Sequence, residues 1–242
     1  MQYPKMILFD YGQTLLGERD FDPVRGNAEL LRYAVKNPHG CTLEDVRRAV
    51  DVVYGQHAGA VRTLGYEIPA QIVDRTLYAW LGIEFSLTPL EMEMVFWDAA
   101  APAVVMPGAD EMLRALQARG IRTGVISNLA WSGAALTQRL QRLLPENQFE
   151  FVLTSSDYFL RKPNRLLFEI ALQKSELSAQ DVWFCGDNPQ ADVEGAAAAG
   201  LFPVWYTPAA AGRDVPQTMP QCAHLRIQSW DALLEALDRA TR

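Results

Sequence analysis

Apolar positions follow two rhythms along this chain. Met6-Ile7-Leu8-Phe9 is apolar at every position, which predicts a short strand buried on both faces of a sheet. From about residue 16 to residue 100 the spacing turns helical, with stretches over 28–35, 43–64, 70–81 and 89–100. Thr42 with Asp45 and Thr88 with Pro89 supply helix starts: a hydroxyl to cap free N–H groups, and a proline at the first helical position. No strand-like run stands out there, so an all-helical insert on one loop of the sheet is expected.

From Pro107-Gly108 onward the pattern alternates. Helix 109–118 stops at Gly120, strand 122–126 and helix 134–144 follow, then strand 151–153 and helix 165–174. Strand 182–185, helix 192–199 ending at Gly200, strand 203–206 and a short strand near 225–227 complete the series. Strands alternating with helices predict an α/β protein with a parallel sheet and right-handed crossovers. The Pro-, Gly- and Ala-rich stretch from Pro208 to Pro220 reads as a surface loop.

Composition narrows the function classes. The 242 residues are 49% hydrophobic, which suits one large domain or a core with an insert. The net charge of −7 argues against a nucleic-acid partner. It leaves room for a small anionic substrate, because one cation and a few lysines reverse the sign locally. No run of about eighteen apolar residues suggests a membrane span. The N-terminal apolar stretch is too short for a secretory signal, so a cytoplasmic protein is expected. Cys41, Cys185 and Cys222 lack metal-binding spacing, and Cys185 reads as a small buried hydrophobe.

The chemistry sits where apolar runs end. Asp10 follows Met6–Phe9, Ser127-Asn128 follows Gly124-Val125-Ile126, and Asp187 and Asp192 follow Val182–Gly186. Lys162 precedes Pro163. A parallel sheet gathers the carboxyl ends of its strands on one edge, where ligands bind. Three carboxylates, a hydroxyl and an ammonium there make a metal-and-phosphate site. Asp10 can attack phosphorus as a nucleophile, and the backbone N–H groups of the loop from Tyr11 to Thr14 can receive phosphate oxygens. Asp10 and Asp187 can share Mg²⁺, which takes hard oxygen ligands. Asp192 can stand behind the ligands or hold a lysine. Ser127 and Asn128 can bind a phosphoryl oxygen, and Lys162 can balance charge beside a phosphate dianion. Each residue alone has a blander reading: a turn aspartate, a helix cap, a strand-to-helix Ser-Asn turn, a solvated lysine.

It is the order that is specific. Asp10-Tyr11-Gly12-Gln13-Thr14-Leu15, Ser127-Asn128, Lys162-Pro163 and Gly186-Asp187 with Asp192 resemble, in turn, the four motifs of the haloacid dehalogenase-like hydrolases. Pro107-Gly108 resembles the start of the helix that follows the cap in that family. The resemblance implies a Rossmann-like three-layer core from residues 1–15 and 101–242, a helical cap domain at 16–100, an Asp10 nucleophile and Mg²⁺. It further implies phosphate binding by Thr14, Ser127, Asn128 and Lys162, metal ligation by Asp10, Asp187 and the Gly12 carbonyl, and support from Asp192. The expected partner is a small phosphorylated metabolite, with no nucleic acid and no membrane, on a monomer or homodimer.

One position departs from the pattern. Phosphatases of the family carry a second aspartate two residues after the nucleophile, and here Gly12 stands in its place. A glycine transfers no proton, and losing a general acid–base costs about 10²–10⁴ in rate. Three readings follow: a phosphohydrolase restricted to leaving groups that need little protonation; a carbon–halogen or carbon–phosphorus hydrolase; and a family member that binds a metabolite without turnover. Glu18, Asp20, Asp22, His39 and His57 are candidate replacement acids, though no pattern selects one. The phosphonate branch needs a cap lysine, and Lys36 is the only one in 16–100. In the cap, most of Tyr54, Tyr66, Tyr78, Trp80, Phe85, Phe96 and Trp97 are expected in the core, with one or two facing the crevice. Arg62 and Arg75 read as solvated or as substrate contacts, Gly17–Asp22 as a mobile link, and Trp131 as an interface or crevice residue.

Overall fold

The computed structural model describes residues 1–18, 20–208 and 218–241. Strand β1 (Met6–Phe9) is fully buried and divides its side chains by parity: Ile7 and Phe9 enter one apolar layer, Met6 and Leu8 the other. The chain then leaves the sheet. β2 (Leu16–Glu18) leads to α1 (Pro23–Leu31), β3 (Ala34–Lys36), α2 (Leu43–Val50), a π-helical turn at Asp51–Gly55, and α3 (Gln56–Thr63). There follow α4 (Ala70–Leu81), β4 (Glu84–Phe85), α5 (Pro89–Ala100) and β5 (Ala103–Val105). Threonine capping boxes open α2 at Thr42/Asp45 and α5 at Thr88/Glu91.

The alternating half runs α6 (Ala109–Ala118), β6 (Arg122–Ser127), α7 (Gly133–Leu143), β7 (Phe149–Thr154), α8 (Ser155–Tyr158), α9 (Arg165–Ser175) and β8 (Val182–Gly186). A π-helical turn at Pro189–Glu194 passes into α10 (Gly195–Ala198), followed by β9 (Phe202–Tyr206), β10 (Leu225–Ile227) and α11 (Trp230–Asp238). Six strands form a parallel sheet in the order β10-β9-β8-β1-β6-β7. Leu116, Leu136 and Leu233, from α6, α7 and α11, pack on one face. Phe168 and Ala196, from α9 and α10, pack on the other. This is the expected three-layer α/β architecture. Phe9 lies level with Val125 and with Cys185, so the residues just beyond them, Asp10, Ser127 and Asp187, leave the sheet at one edge.

The insert has its own apolar cluster, centred on Leu30, Val46, Leu77, Tyr78 and Ile83. α5 serves both bodies: Met92, Val95 and Phe96 join that cluster, while Leu90, Met94 and Trp97 join the sheet's first layer. No helix among the described residues is long and apolar enough to cross a membrane.

The insert is not all-helical, contrary to the pattern reading. β3 pairs with β4 (Ala34 with Phe85, Lys36 with Glu84), and β2 pairs antiparallel with β5 (Leu16 with Val105, Glu18 with Ala103). Strands of two or three residues are too short to show a period of two, and they exist only because packing brings their partners alongside. The first helix spans Pro23–Leu31 rather than 28–35, because the Asp22 carboxylate caps Val24 N at 2.9 Å and Pro23 opens the turn. The helical run over 43–64 is continuous, with a π-helical turn at Asp51–Gly55 between α2 and α3. Of the expected mobile link, Gly17 is held in β2, Asp22 is a cap, and Arg19 lies outside the described residues. Most of the Pro208–Pro220 loop, residues 209–217, also lies outside them.

Gly26 lets α1 and α5 approach: a Cβ there would stand 2.7 Å from the Phe96 ring and 3.0 Å from Ala100 Cβ. Gly26→Ala is therefore expected to lower stability by about 1–3 kcal/mol. A reduced urea midpoint at unchanged slope is the readout.

Candidate active site

Lys162 lies at the centre of the strand-end edge and is almost wholly buried. Its Nζ donates to Asp10 Oδ1 at 2.7 Å and to the Ile126 carbonyl at 2.8 Å, and forms an ion pair with Asp192 Oδ1 at 2.7 Å. The Phe184 ring lies 4.9 Å beneath it. Asn128 fixes the lysine's backbone: Asn128 Oδ1 accepts from Lys162 N at 2.7 Å, and Asn128 Nδ2 donates to Lys162 O at 2.9 Å. Ser127 Oγ donates to Asp10 Oδ1 at 3.2 Å.

Asp10 is anchored by its own N–H, which donates to Cys185 O at 2.9 Å, so β8 positions the residue that follows β1. Asp192 comes from the π-helical turn after β8, and its Oδ2 accepts from Asn188 N at 2.9 Å. Asn188, not Asp192, caps that turn. Gly186 makes room for Asp192: a Cβ at Gly186 would fall 2.4 Å from Asp192 Cγ. Asp187 projects beside them, its carbonyl held by Trp205 Nε1 at 3.0 Å. One carboxylate oxygen each from Asp10, Asp187 and Asp192 lie within 4.8 Å of one another.

The Asp10 and Asp192 carboxylates share the Lys162 ammonium. Burial, with Asp10 adding to it, pushes the Asp192 carboxyl up to about 6, while Lys162 pulls it down. Burial disfavours the Lys162 ammonium, but Asp10 and Asp192 outweigh this and hold its pKa above the usual lysine value. Thr14 is also buried, and its hydroxyl has no hydrogen-bond partner among the described residues. A Cβ at Gly12 would meet Asp10 Oδ2 at 4.0 Å and nothing closer, so a side chain fits at that position. The structure thus gathers Asp10, Ser127, Asn128, Lys162, Asp187 and Asp192, with Gly12 and Thr14 in the adjoining loop.

Other sequence candidates lie elsewhere or are engaged. Glu18 accepts from Tyr11 Oη at 2.7 Å and from Trp97 Nε1 at 2.6 Å, and Arg139 Nε donates to Tyr11 Oη at 2.9 Å. Burial, then the charge of Glu18, pushes the Tyr11 phenol upward, so it stays protonated. Lys36 pairs with Glu84 on the exposed β3–β4 ribbon, away from the carboxylates. A cavity of about 510 Å³ opens between the insert and the loop after β6. Trp131 lines it, packed on Phe96 at 5.3 Å, and Asn128, Arg62 and Arg161 reach it. Glu18, Asp20, Asp22, His39 and His57 do not line it, whereas Asp74 does. Asp74 escaped the sequence reading; its signal was an acidic residue on the apolar side of α4, in register with Leu77 and Tyr78.

A family model described as haloacid dehalogenase-like hydrolase matches residues 99–205. The ribulose-1,5-bisphosphate 5-phosphatase of Halopiger xanaduensis is 30% identical over 114 residues, 47% of each chain. The chain spans about half the length of the curated relatives it matches. Among solved structures, the 2-haloacid dehalogenase from Pseudomonas syringae pv. Tomato superposes with a TM-score of 0.64 at 20% identity, covering 98% of this chain and 99% of that one. A HAD phosphatase from Thermococcus onnurineus gives 0.61 at 18% identity, covering 99% of both. These two likenesses establish the fold.

Removing the Lys162 ammonium leaves Asp10 and Asp192 facing each other. Lys162→Met is expected to lose about 3–5 kcal/mol of stability at pH 8. The loss shrinks as pH falls. An acid whose folded pKa is raised carries its penalty above that pKa and sheds it below, and without Lys162 the Asp192 carboxyl titrates higher still. Denaturant midpoints of variant and wild type between about pH 8 and 5 check this.

Proposed function

We propose that the chain is a haloacid dehalogenase-like hydrolase, specifically a Mg²⁺-dependent phosphohydrolase that cleaves a small phosphate monoester through an aspartyl-phosphate on Asp10. The observation that carries this reading is the Lys162 ammonium shared by Asp10 and Asp192, with Asp187 completing the carboxylate cluster. The donor set suits a hard divalent ion: one carboxylate oxygen from each of three aspartates, all within 4.8 Å of one another. Asp10, Asp187 and the Gly12 carbonyl would hold Mg²⁺, which would screen the phosphoryl charge and polarise its oxygens.

The chain's own groups do the rest. The Asp10 carboxylate forms a bond to phosphorus as the ester P–O bond breaks, and the leaving oxygen departs with the electron pair. Water then attacks phosphorus, the bond to Asp10 breaks, and inorganic phosphate leaves. Lys162, the Ser127 hydroxyl, the Asn128 backbone N–H and the partnerless Thr14 hydroxyl bind the phosphoryl oxygens. Lys162 also fixes the Asp10 carboxylate, with Nζ 2.7 Å from Oδ1. With Gly12 in place of an acid, the leaving group must be stable as an anion, which favours aryl and acyl phosphates. The same absence supports a second reading, carbon–halogen hydrolysis, since halide leaves unprotonated. The third carboxylate, Asp187, favours the phosphohydrolase.

Hydrolysis of an aryl phosphate should be abolished by EDTA and restored by Mg²⁺, and Asp10→Asn should remove it. Chloride release from a 2-haloacid that ignores EDTA would instead establish the second reading, and metal binding without turnover would mark a binding protein. Gly12→Asp should raise alkyl-phosphate turnover by about tenfold or more, because the position has room for the side chain and the acid contributes about 10²–10⁴. Steady-state phosphate release measures it, and no gain would mean that another group already delivers the proton.

A further inference from the structure

The charged groups around the cavity between the insert and the sheet edge have counter-charges, with one exception. Arg62 Nε lies 3.5 Å from Glu67 Oε1, and Arg161 pairs with Glu67 Oε2. Asp51 pairs with Arg47 at 3.5 Å. Asp74 has neither a cation nor a hydrogen-bond donor on its carboxyl among the described residues. It stands on α4 one turn before Leu77 and Tyr78, on the side that turns inward. The first residue of α4 is tied to the loop after β6, with Ala70 N donating to Ala130 O at 2.9 Å, so that loop and Asp74 share one rigid frame.

Asp74 is half-buried on the cavity wall, where a carboxyl with a structural task would ordinarily be paired. Burial, then the neighbouring charge of Glu93, pushes Asp74 up to about 7, the mark of surroundings that supply no cation. Glu93 itself is satisfied by Gln71 Nε2 and Ser132 N, each at 2.9 Å. The other walls include the Phe96 and Trp131 rings and Tyr54. Aromatic faces beside a lone carboxyl are the chemistry that holds an ammonium group.

We propose that Asp74 is a specificity-determining residue and that the organic part of the substrate carries an amine, held as ammonium by the Asp74 carboxyl and the faces of Phe96 and Trp131. This rests on the phosphohydrolase reading for the phosphoryl end and adds the identity of the other end. The volume of about 510 Å³ accommodates a ring bearing an aminoalkyl arm.

The test compares 4-(2-aminoethyl)phenyl phosphate with 4-(2-hydroxyethyl)phenyl phosphate, on wild type and on Asp74→Asn, with Mg²⁺ at neutral pH. Both esters release a phenolate, so Gly12 weighs on them alike. Wild type is expected to favour the amine by about tenfold or more in kcat/KM, expressed in KM, and Asp74→Asn to bring the two within about twofold. Equal use of both esters by wild type, or a preference that survives in Asp74→Asn, overturns the proposal. If neither ester turns over, the hydrolase reading falls by itself, and calorimetric titration of the same two esters decides Asp74 separately. Binding of the amine about tenfold tighter than the alcohol supports it; equal or absent binding overturns it. The ligand-free Tm of Asp74→Asn should match or exceed that of wild type, since no partner is lost. A marked fall would make Asp74 a structural carboxyl and overturn the assignment.

Discussion

One ammonium group organises the strand-end edge. Lys162 is the cation between Asp10 and Asp192, and its third contact is the Ile126 carbonyl at the end of β6. Three separate segments of chain therefore meet on a single nitrogen. Two carboxylates this close would repel strongly in a poorly solvated site, so the lysine sets whether the edge can form at all. Its own position depends on the two hydrogen bonds between the Asn128 amide and the Lys162 backbone. The carboxylate oxygens of Asp10, Asp187 and Asp192, within 4.8 Å of one another, are the groups that would hold a divalent cation under the proposed function.

A second polar network joins that edge to the insert. Tyr11, next to Asp10, donates to Glu18 on β2, and Trp97 on α5 donates to the same oxygen. Arg139 on α7, almost completely buried, donates to Tyr11 and bonds Asp98 at 2.6 Å and the Ala101 carbonyl, with its guanidinium 4.4 Å from the Trp97 ring. The two chain passages into and out of the insert are thus zipped as β2–β5 and bolted to the sheet by a satisfied buried cation. Such a fully paired network fixes orientation rather than adding much stability. It holds the insert helices, and with them the cavity walls, over the loop that carries Ser127 and Asn128.

Gly12 and the cavity bear on the same question from opposite ends. A site that gives the leaving group no proton at Gly12 depends on the leaving group's own chemistry, and that part of a substrate would lie towards the insert. There the walls combine rings, two arginines that share the Glu67 carboxylate, and one carboxyl without a partner among the described residues. Under the proposed function, selectivity would come from the insert, while the strand-end edge would handle only the group being transferred.

Local sequence was enough for much of this. A strand apolar at every position declares its burial on both faces, and helices with threonine caps declare their starts, so β1, α2, α5 and the alternating half were legible. So were Asp10, Ser127, Lys162, Asp187 and Asp192, because each follows or adjoins a segment whose end must lie at one edge of a parallel sheet. The remainder depends on partners far away in the chain. β2, β3, β4 and β5 are too short to carry a period and become strands only when packing sets their partners beside them. Arg139 looks like any surface arginine of an amphipathic helix until Tyr11, Asp98 and Ala101 enclose it. Asp74 acquires its meaning from what fails to reach it. A counter-charge, or the lack of one, is a property of three-dimensional neighbours, and spacing along a chain does not encode it.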